Sequence, residues 1–383
     1  MRFTHITLRN WRNFKKIDVD LTNRVFILGA NASGKSNFLD AFRFLKDIAN
    51  NGLQKAMAER GGISKVRSLC ARRPSDIEIE VIVEEKNTIW QYEIGILQEP
   101  RGHRRPILSR EVVVKNGKTL LNRLDSDDNI DIELRTQTAL EQISENADFR
   151  ELANIFKKIS YLHIVPQIIR KPKLFPWRGK GDDYFGWTLI KNISSTSQKT
   201  QKSRLRKIEK ALIKIVPQLK ELKLTDFDDA GERHLEVRYK HWRKRDAKQN
   251  ELEFSDGTLR LIGIFWALLE GRGPLLMEEP ELYLHPGVIK KLPRLIHRLQ
   301  KSAGDRQVLI STHSPDLLLK GNGIGPEEIL LLKPGEEATD IHALNDIEEL
   351  KPLIENGFEY SEIVEQYTKP DTIEQLDLFI NQL

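Results

Sequence analysis

A single cysteine, Cys70, stands among 383 residues. No internal disulfide is possible, nothing lies at metal-ligand spacing from it, and a reducing, cytoplasmic compartment is the simplest expectation. Long apolar runs are also missing. Stretches such as residues 262–269 are far too short to cross a bilayer, so a membrane role would need a separate partner chain. The opening MRFTHITLRNWRNF is broken by Arg2, His5, Arg9 and Arg12 and has no signal-peptide core. There is no internal repeat and no sustained heptad, which excludes a long coiled coil. Charge of one sign does not dominate: 61 Lys+Arg against 56 Asp+Glu leave a net +5. Such a balance permits a nucleic-acid partner without demanding one.

What is present suffices for a sizeable core, with 39 % hydrophobic residues. At roughly 150 residues per domain, the length suggests two lobes or one large domain with insertions. Phe3, Ile6 and Leu8, then Phe14, Ile17, Val19 and Leu21, alternate as an antiparallel hairpin would. Residues 24–28 read as a short buried strand. A glycine-bearing loop follows, then a helix with Phe38, Leu39, Phe42, Leu45 and Ile48 on one side, closed by Asn51-Gly52. Residues 77–83 and 89–96 read as strands. Residues 98–150 look polar and irregular apart from a strand at 111–114. Further on, the pattern predicts a strand at 160–165, a basic Pro/Gly-rich loop at 168–183, a basic amphipathic helix at 200–216 and a strand at 235–239. The last third predicts a helix at 257–270, a strand at 274–278, a helix at 287–302 kinked or broken by Pro293, and a strand at 307–312. That is a strand–helix–strand unit of a parallel sheet.

Four segments carry chemistry. Gly29-Ala30-Asn31-Ala32-Ser33-Gly34-Lys35-Ser36, followed by Asn37, fits G-x-x-x-x-G-K-[ST] in full, between a buried strand and an apolar-striped helix. Glycines let backbone wrap around phosphates, and free N–H groups at a helix start bind anions. Lys35 is expected to reach the β- and γ-phosphates of ATP and the Ser36 hydroxyl to ligate Mg²⁺. The apolar strand before Glu278-Glu279-Pro280-Glu281 ends in adjacent carboxylates, expensive unless they meet a cation or substrate. Successive strand side chains face opposite ways, which assigns Glu278 to Mg²⁺ and Glu279 to the attacking water as general base. A solvated acidic turn is the plainer alternative. His313, in Ser311-Thr312-His313-Ser314-Pro315, stands at a strand end where α/β sheets bind ligands and could contact the γ-phosphate; a hydrogen-bonded turn residue is the alternative. Ser255-Asp256-Gly257 opens an apolar helix with a plausible N-cap. The phosphate loop already serves its own nucleotide, so a second anion-binding helix start makes sense against a triphosphate held by another copy, in a head-to-tail dimer.

In this order the set resembles the ABC-type ATPase head, closest to the RecF/SMC-like and OLD-like ATPases. The likeness is carried by LRNWRNFKKIDVDL…ILGANASGKSNFLDAFRFL, FSDGTLRLIGIF, LLMEEPELYLHP and ISTHSPDLL, over about residues 1–50 and 250–320. The resemblance implies an α/β P-loop head with a mixed sheet, N-terminal antiparallel strands and an inserted helical and basic lobe. The expected division is 1–97, 98–250 and 251–383. Ser255 and Gly257 would contact ATP across the dimer, Asp256 replacing the usual glycine and Glu278 the commoner aspartate. Tyr283 and His285 would lie near the interface. Gln167 is the candidate for the glutamine that reaches Mg²⁺, a surface loop residue being the alternative. Arg12 and Asn13 match a basic stretch that approaches nucleotide in relatives, or are solvated hairpin residues.

The absent coiled-coil arm argues against SMC-type tethering. After Pro315 no acidic nuclease motif follows, and the tail reads as Glu/Ile/Leu-rich helices, so a nuclease or toxin effector would be a separate chain. Lys199, Lys202, Arg204, Arg206, Lys207 and Lys210 form one basic cluster. Arg238, Lys240, Arg243, Lys244 and Arg245 with Tyr239 and Trp242 form another, and Arg170, Lys171, Lys173, Arg178 and Lys180 with Phe175 and Trp177 a third. Such clusters neutralise DNA or RNA, or are solvated faces. The leading expectation is an ATP-sandwich homodimer that controls an effector in anti-phage defence or genome maintenance. The alternatives are a scaffold held by ATP without turnover, for which Glu279→Gln would be harmless, and the ATPase subunit of a membrane transporter, which would copurify with a membrane protein.

Overall fold

The computed structural model describes residues 1–73, 75–124, 131–175, 183–240 and 246–368. The chain forms two compact units: Met1–Ser160, Arg272–Leu276 and the described part of Arg306–Leu383 make the first, and Tyr161–Gly271 with Met277–Asp305 the second.

In the first unit, β1 (Arg2–Trp11) and β2 (Phe14–Asp20) form the expected hairpin. With β4 (Ile77–Glu85), β5 (Thr88–Gln98), β6 (Pro106–Lys115) and β7 (Lys118–Leu124) they build an antiparallel sheet in the order β2-β1-β4-β5-β6-β7. A second sheet runs β15-β14-β3-β13-β12-β8. Its wholly buried centre, β3 (Arg24–Gly29), lies parallel to β13 (Val308–Thr312) on one side and to β14 (Ile329–Pro334) on the other. β15 (Thr339–Ala343) pairs antiparallel with β14. β8 (Ser160–Leu162) and β12 (Leu275–Glu278) begin in this unit and end in the second.

Helix α1 (Lys35–Asn51) is buried along most of its length and stops at Gly52, followed by the short α2 (Leu53–Ala58) and α3 (Ile63–Val66). Phe42 on α1 meets Phe3 edge-on, with centroids 4.9 Å apart, and Phe38 at 5.6 Å. Gln307 joins the two sheets: the Phe3 N–H donates to its Oε1 (2.8 Å), while its amide donates to Phe3 O (2.7 Å) and Thr22 O (2.8 Å). A buried polar group so fully matched fixes register as well as stability. α4 (Arg150–Lys157), α11 (Lys351–Glu355) and α12 (Tyr360–Thr368) complete the unit.

The second unit holds α5 (Pro166–Arg170), α6 (Leu189–Ser195), α7 (Gln198–Ile215), α8 (Asp256–Glu270), α9 (Pro286–Ile289) and α10 (Leu292–Ser302). It also has a three-stranded antiparallel sheet, β11-β10-β9, of β9 (Leu219–Leu224), β10 (Leu235–Tyr239) and β11 (Ala247–Asn250).

Several expectations need correction. Residues 98–150 carry two full strands, β6 and β7, rather than one fragment. Glu111, in the one strand expected there, is fully buried yet charged in type. Its carboxylate accepts from Tyr92 Oη (3.1 Å), Arg123 (3.1 Å) and the N–H groups of Ala139 (2.7 Å) and Leu140 (3.2 Å), which makes it a hub between β6 and the segment after β7. The strand at 160–165 ends at Leu162, because Pro166 opens α5. The helix at 287–302 is broken, as Pro293 suggests: it is two helices, with Pro293 in the first turn of the second, where a missing N–H costs least. The tail contains the strand pair β14–β15 as well as helices. Trp177, Arg178, Lys180, Trp242, Arg243, Lys244 and Arg245 lie outside the described residues.

Candidate functional site

In the first unit, β3 delivers the chain into the loop from Gly29 to Ser36. A Cβ on Gly29 would stand 2.9 Å from Leu332 O, so the loop leaves β3 where only glycine fits. Ala32 (φ 63) and Gly34 (φ 100) take left-handed backbone, natural for glycine and costly for alanine. Ser33 N–H donates to Ala30 O (3.2 Å), while the Ser33 hydroxyl is buried without a hydrogen-bond partner among the described residues. Asn31, Ala32 and Ser36 are exposed and Asn37 half-buried at the first turn of α1.

Lys35 is 5 % exposed. Its ammonium donates to Gly29 O and Ala30 O, both at 2.8 Å, and stands 3.2 Å from His313 Nδ1. An ammonium only donates, so this contact makes Nδ1 the acceptor and leaves the imidazole proton on Nε2. The sequence-selected lysine and histidine therefore meet directly. The turn of the β1–β2 hairpin braces the loop from the other side. Asn13 Nδ2 donates to Ser33 O and Thr339 Oγ1, both at 2.8 Å, its Oδ1 accepts from Asn37 (2.8 Å), and the Trp11 indole N–H donates to Asn37 O (2.8 Å). A Cβ on Gly34 would collide with Asn13. Arg12 pairs with Asp40 at 3.0 Å. Burial alone would raise the Asp40 pKa, but Arg60, Arg43 and Arg12 outweigh it and hold the carboxyl below the usual range.

In the second unit, Ser255 caps α8, its hydroxyl accepting from Thr258 N–H at 3.2 Å. A Cβ on Gly257 would lie 2.8 Å from Tyr283 O, so glycine here lets the segment after the acidic strand close on the helix start. Asp256 is held by two side chains of α5: an ion pair with Arg170 and a 3.1 Å hydrogen bond from Gln167 Nε2. Arg170 also donates to Phe254 O at 2.6 Å. Gln167, expected at a metal, thus directs its amide nitrogen to Asp256.

The acidic pair is separated by a turn rather than by strand alternation. β12 ends at Glu278, and Glu279 turns left-handed at φ 44. Arg260 maintains that turn. This guanidinium is 1 % exposed and donates to Glu279 O at 2.6 Å, to Glu278 O at 3.4 Å and to Ile164 O. Its charged centre lies 5.8 Å from the Tyr283 ring. Burial lowers the Arg260 pKa against the pull of Glu281, Tyr283 and Glu279. One Glu278 oxygen is buried without a hydrogen-bond partner among the described residues, and the other is 3.6 Å from His163 Nδ1. Burial first, then Arg260, push the His163 pKa below its ordinary value, so this imidazole is neutral near pH 7. A carboxylate with an unpaired buried oxygen suits a hard divalent cation. Tyr283 and His285 are exposed, and His285 caps α9 through Gly287 N–H (3.1 Å).

Sequence reasoning missed Arg260 and His163, and set Arg170 in a basic cluster, whereas it pairs with Asp256. Of the two missed, Arg260 left a trace, as the one charged residue in the run LRLIGIFWALL. Among the described residues no three His, Cys, Asp or Glu side chains form a metal cluster, and no helix is long and apolar enough to cross a membrane.

Residues 24–319 match the family described as "AAA domain, putative AbiEii toxin, Type IV TA system". Over 67 residues, 17 % of this chain, the sequence is 43 % identical to Endonuclease GajA of Bacillus cereus (strain VD045). Over 46 residues, 12 % of this chain, it is 50 % identical to the DNA replication and repair protein RecF of Lactobacillus acidophilus (strain ATCC 700396 / NCK56 / N2 / NCFM). Each match covers only 12 % of the relative's own length. The fold is similar to that of an SMC head solved bound to the C-winged helix domain of ScpA: TM-score 0.51 at 17 % identity, over 89 % of this chain and 98 % of that one. The shared fold is that of an ABC-type ATPase head.

Proposed function

The chain belongs to the family described as "AAA domain, putative AbiEii toxin, Type IV TA system", within the ABC-type P-loop ATPases related to RecF, SMC and OLD-like proteins, and on that premise we propose that it hydrolyses ATP with Mg²⁺ as a nucleotide-sandwich homodimer. The observation that carries the reading is the Lys35 ammonium held by Gly29 O, Ala30 O and His313 in a loop with left-handed Gly34. All three donors of this ammonium are engaged at the loop, and a triphosphate would take them over from those acceptors. The unpartnered Ser33 hydroxyl in the same loop offers a further polar contact.

The roles follow residue by residue. Backbone N–H groups of the loop from Gly29 to Asn37 and the Lys35 ammonium bind the β- and γ-phosphates. Ser36, Glu278 and the amide oxygen of Gln167 would hold Mg²⁺, which when bound neutralises charge on those phosphates. Glu279 takes the proton of a water whose oxygen attacks the γ-phosphorus. The bond to the β–γ bridging oxygen breaks, leaving ADP and inorganic phosphate. His313 orients Lys35 and faces the γ-phosphate. Ser255, Asp256 and Gly257 of one copy engage the triphosphate held by the other.

The likeness to an endonuclease and to a DNA replication and repair protein supports a place in anti-phage defence or genome maintenance. There the ATPase works in the cytoplasm, responds to DNA or RNA and controls a separate nuclease or toxin. Phosphate release tests the catalytic core. Wild type turns over ATP and is stimulated by nucleic acid, Lys35→Ala does neither, and Glu279→Gln binds ATP without turnover. Equal rates in all three would refute it.

A further inference from the structure

We propose that the outer face of α7, extended by that of α10, docks the phosphate backbone of double-stranded DNA; this names the partner of the ATPase reading and rests on it. Charge is concentrated there. α7 contains seven basic residues and one acidic residue, an excess larger than the net +5 of the whole chain. Its single acid, Glu209, is engaged elsewhere, accepting from Leu222 N–H at 2.8 Å. Leu205, Ile208 and Leu212 are buried, while Lys199, Lys202, Arg206, Lys207, Lys210 and Lys214 are exposed.

Lys199, Lys202, Arg206, Lys210 and Lys214 follow one another at three- and four-residue steps, so they line a single stripe roughly 22 Å long at 1.5 Å per residue. That length spans about six or seven base pairs of duplex at ~3.4 Å each. α10 packs on α8, as α7 does. It adds exposed Arg294 and Arg298 and contains no acidic residue. Lys207 bridges the two helices through Ser302 O at 3.4 Å.

The neighbouring sheet shows how this unit treats cations that need no external partner. All four basic residues in β9, β10 and β11 are paired: Lys220 with Asp246 (2.5 Å), Lys223 with Glu236 (3.1 Å), Arg238 with Glu221 (2.5 Å) and Lys248 with Glu236 (3.5 Å). The exposed cations of α7 form no ion pair with any described residue. Like charges four apart repel along a helix, and a bound polyanion would relieve them. Neither α7 nor α10 contains Phe, Tyr or Trp, so no base-stacking platform is offered to single strands. A rigid row of cations without aromatics fits the outside of a duplex, read by charge and not by sequence.

The test is fluorescence anisotropy of the full chain with a labelled random-sequence DNA duplex between about 50 and 200 mM salt. Matched variants remove four cations each: Lys199→Ala/Lys202→Ala/Arg206→Ala/Lys210→Ala on α7, and Lys220→Ala/Lys223→Ala/Arg238→Ala/Lys248→Ala on the sheet. Alanine is the strongest helix former, so α7 survives the change. The α7 variant should bind at least ~100-fold more weakly at low salt, with a log–log salt slope shallower by about 3 to 4. The sheet variant should change less than about threefold. Equal losses in both variants, no loss in the α7 variant, or preference of wild type for single strands or for duplex RNA would overturn the proposal. Basal ATP turnover without DNA should be the same in wild type and the α7 variant. If wild type has no turnover, the ATPase reading fails on its own while the anisotropy comparison still reports on α7.

Discussion

In the first unit a cation rests on backbone, Lys35 on the carbonyls of Gly29 and Ala30. In the second unit the acidic segments rest on arginines: Arg260 holds the backbone of Glu278 and Glu279, and Arg170 pairs with Asp256. The difference sets what each can tolerate. A loop whose lysine rests on its own carbonyls is largely specified by neighbouring residues, with Asn13 and His313 bracing it from outside. An acidic turn held by a buried guanidinium depends on one side chain from a distant helix and fails if that side chain is removed.

The sharpest contrast comes from the two charged groups nearest the chemistry. Lys35→Ala should lower kcat/KM by about 10³-fold through lost phosphate contacts. Glu279→Gln should lower kcat by about 10²–10⁴-fold with KM little changed, because it removes a proton acceptor and leaves the binding groups in place. Steady-state phosphate release separates the two, and a large KM rise for Glu279→Gln would break the distinction. Next in size is Arg260→Met, which strands the Ile164 and Glu279 carbonyls and should cost about 2–4 kcal/mol in denaturant unfolding, with a fall in kcat as Glu279 loses its turn. An unchanged midpoint would show that Arg260 does not hold the acidic segment.

Smaller still is the Arg170–Asp256 pair. Arg170→Ala leaves a carboxylate at the start of α8 without its counter-charge and should weaken ATP binding severalfold. Asp256→Gly in the same chain should restore most of it, a coupling of about 1 kcal/mol in a double-mutant cycle. Additive losses would mean that Arg170 acts only through Phe254 O.

The smallest effects are in pH. His163 has a depressed pKa, so the unfolded chain takes up the proton first. Its contribution is complete above about pH 6.5 and is lost as pH falls from there through the folded pKa. His234 is the opposite case, raised chiefly by its hydrogen bond to Glu251 and further by Asp228. Its contribution is complete below about pH 6.5 and is lost as pH rises through the folded pKa. Urea midpoints between about pH 5 and 8 should flatten on the acid side for His163→Gln and on the alkaline side for His234→Gln.

The same contrast explains what was legible. Gly29 to Ser36 could be read because strand, loop, lysine and helix are adjacent, and the periodicity of α1 and α8 sits in the chain for inspection. Arg260 reaches Ile164 across 96 positions, Gln167 reaches Asp256 across 89, and Arg170 reaches Phe254 across 84; no local pattern announces such partners. The division of labour between Glu278 and Glu279 was inferred from strand alternation, whereas the turn at Glu279 separates them. β7 was obscured because Lys118, Asn122 and Arg123 give it the composition of a loop, and the first half of β6 because Pro106, Ser109 and Arg110 do the same.

The central claim is that two copies close around nucleotide, and light scattering of the Glu279→Gln protein with magnesium and ATP tests it most directly. The account predicts a species of twice the 44.3 kDa chain mass, lost on removing ATP and abolished by Ser255→Arg. A single chain mass under all these conditions, with Ser255→Arg hydrolysing ATP at the wild-type rate in an otherwise unaltered chain, would contradict it.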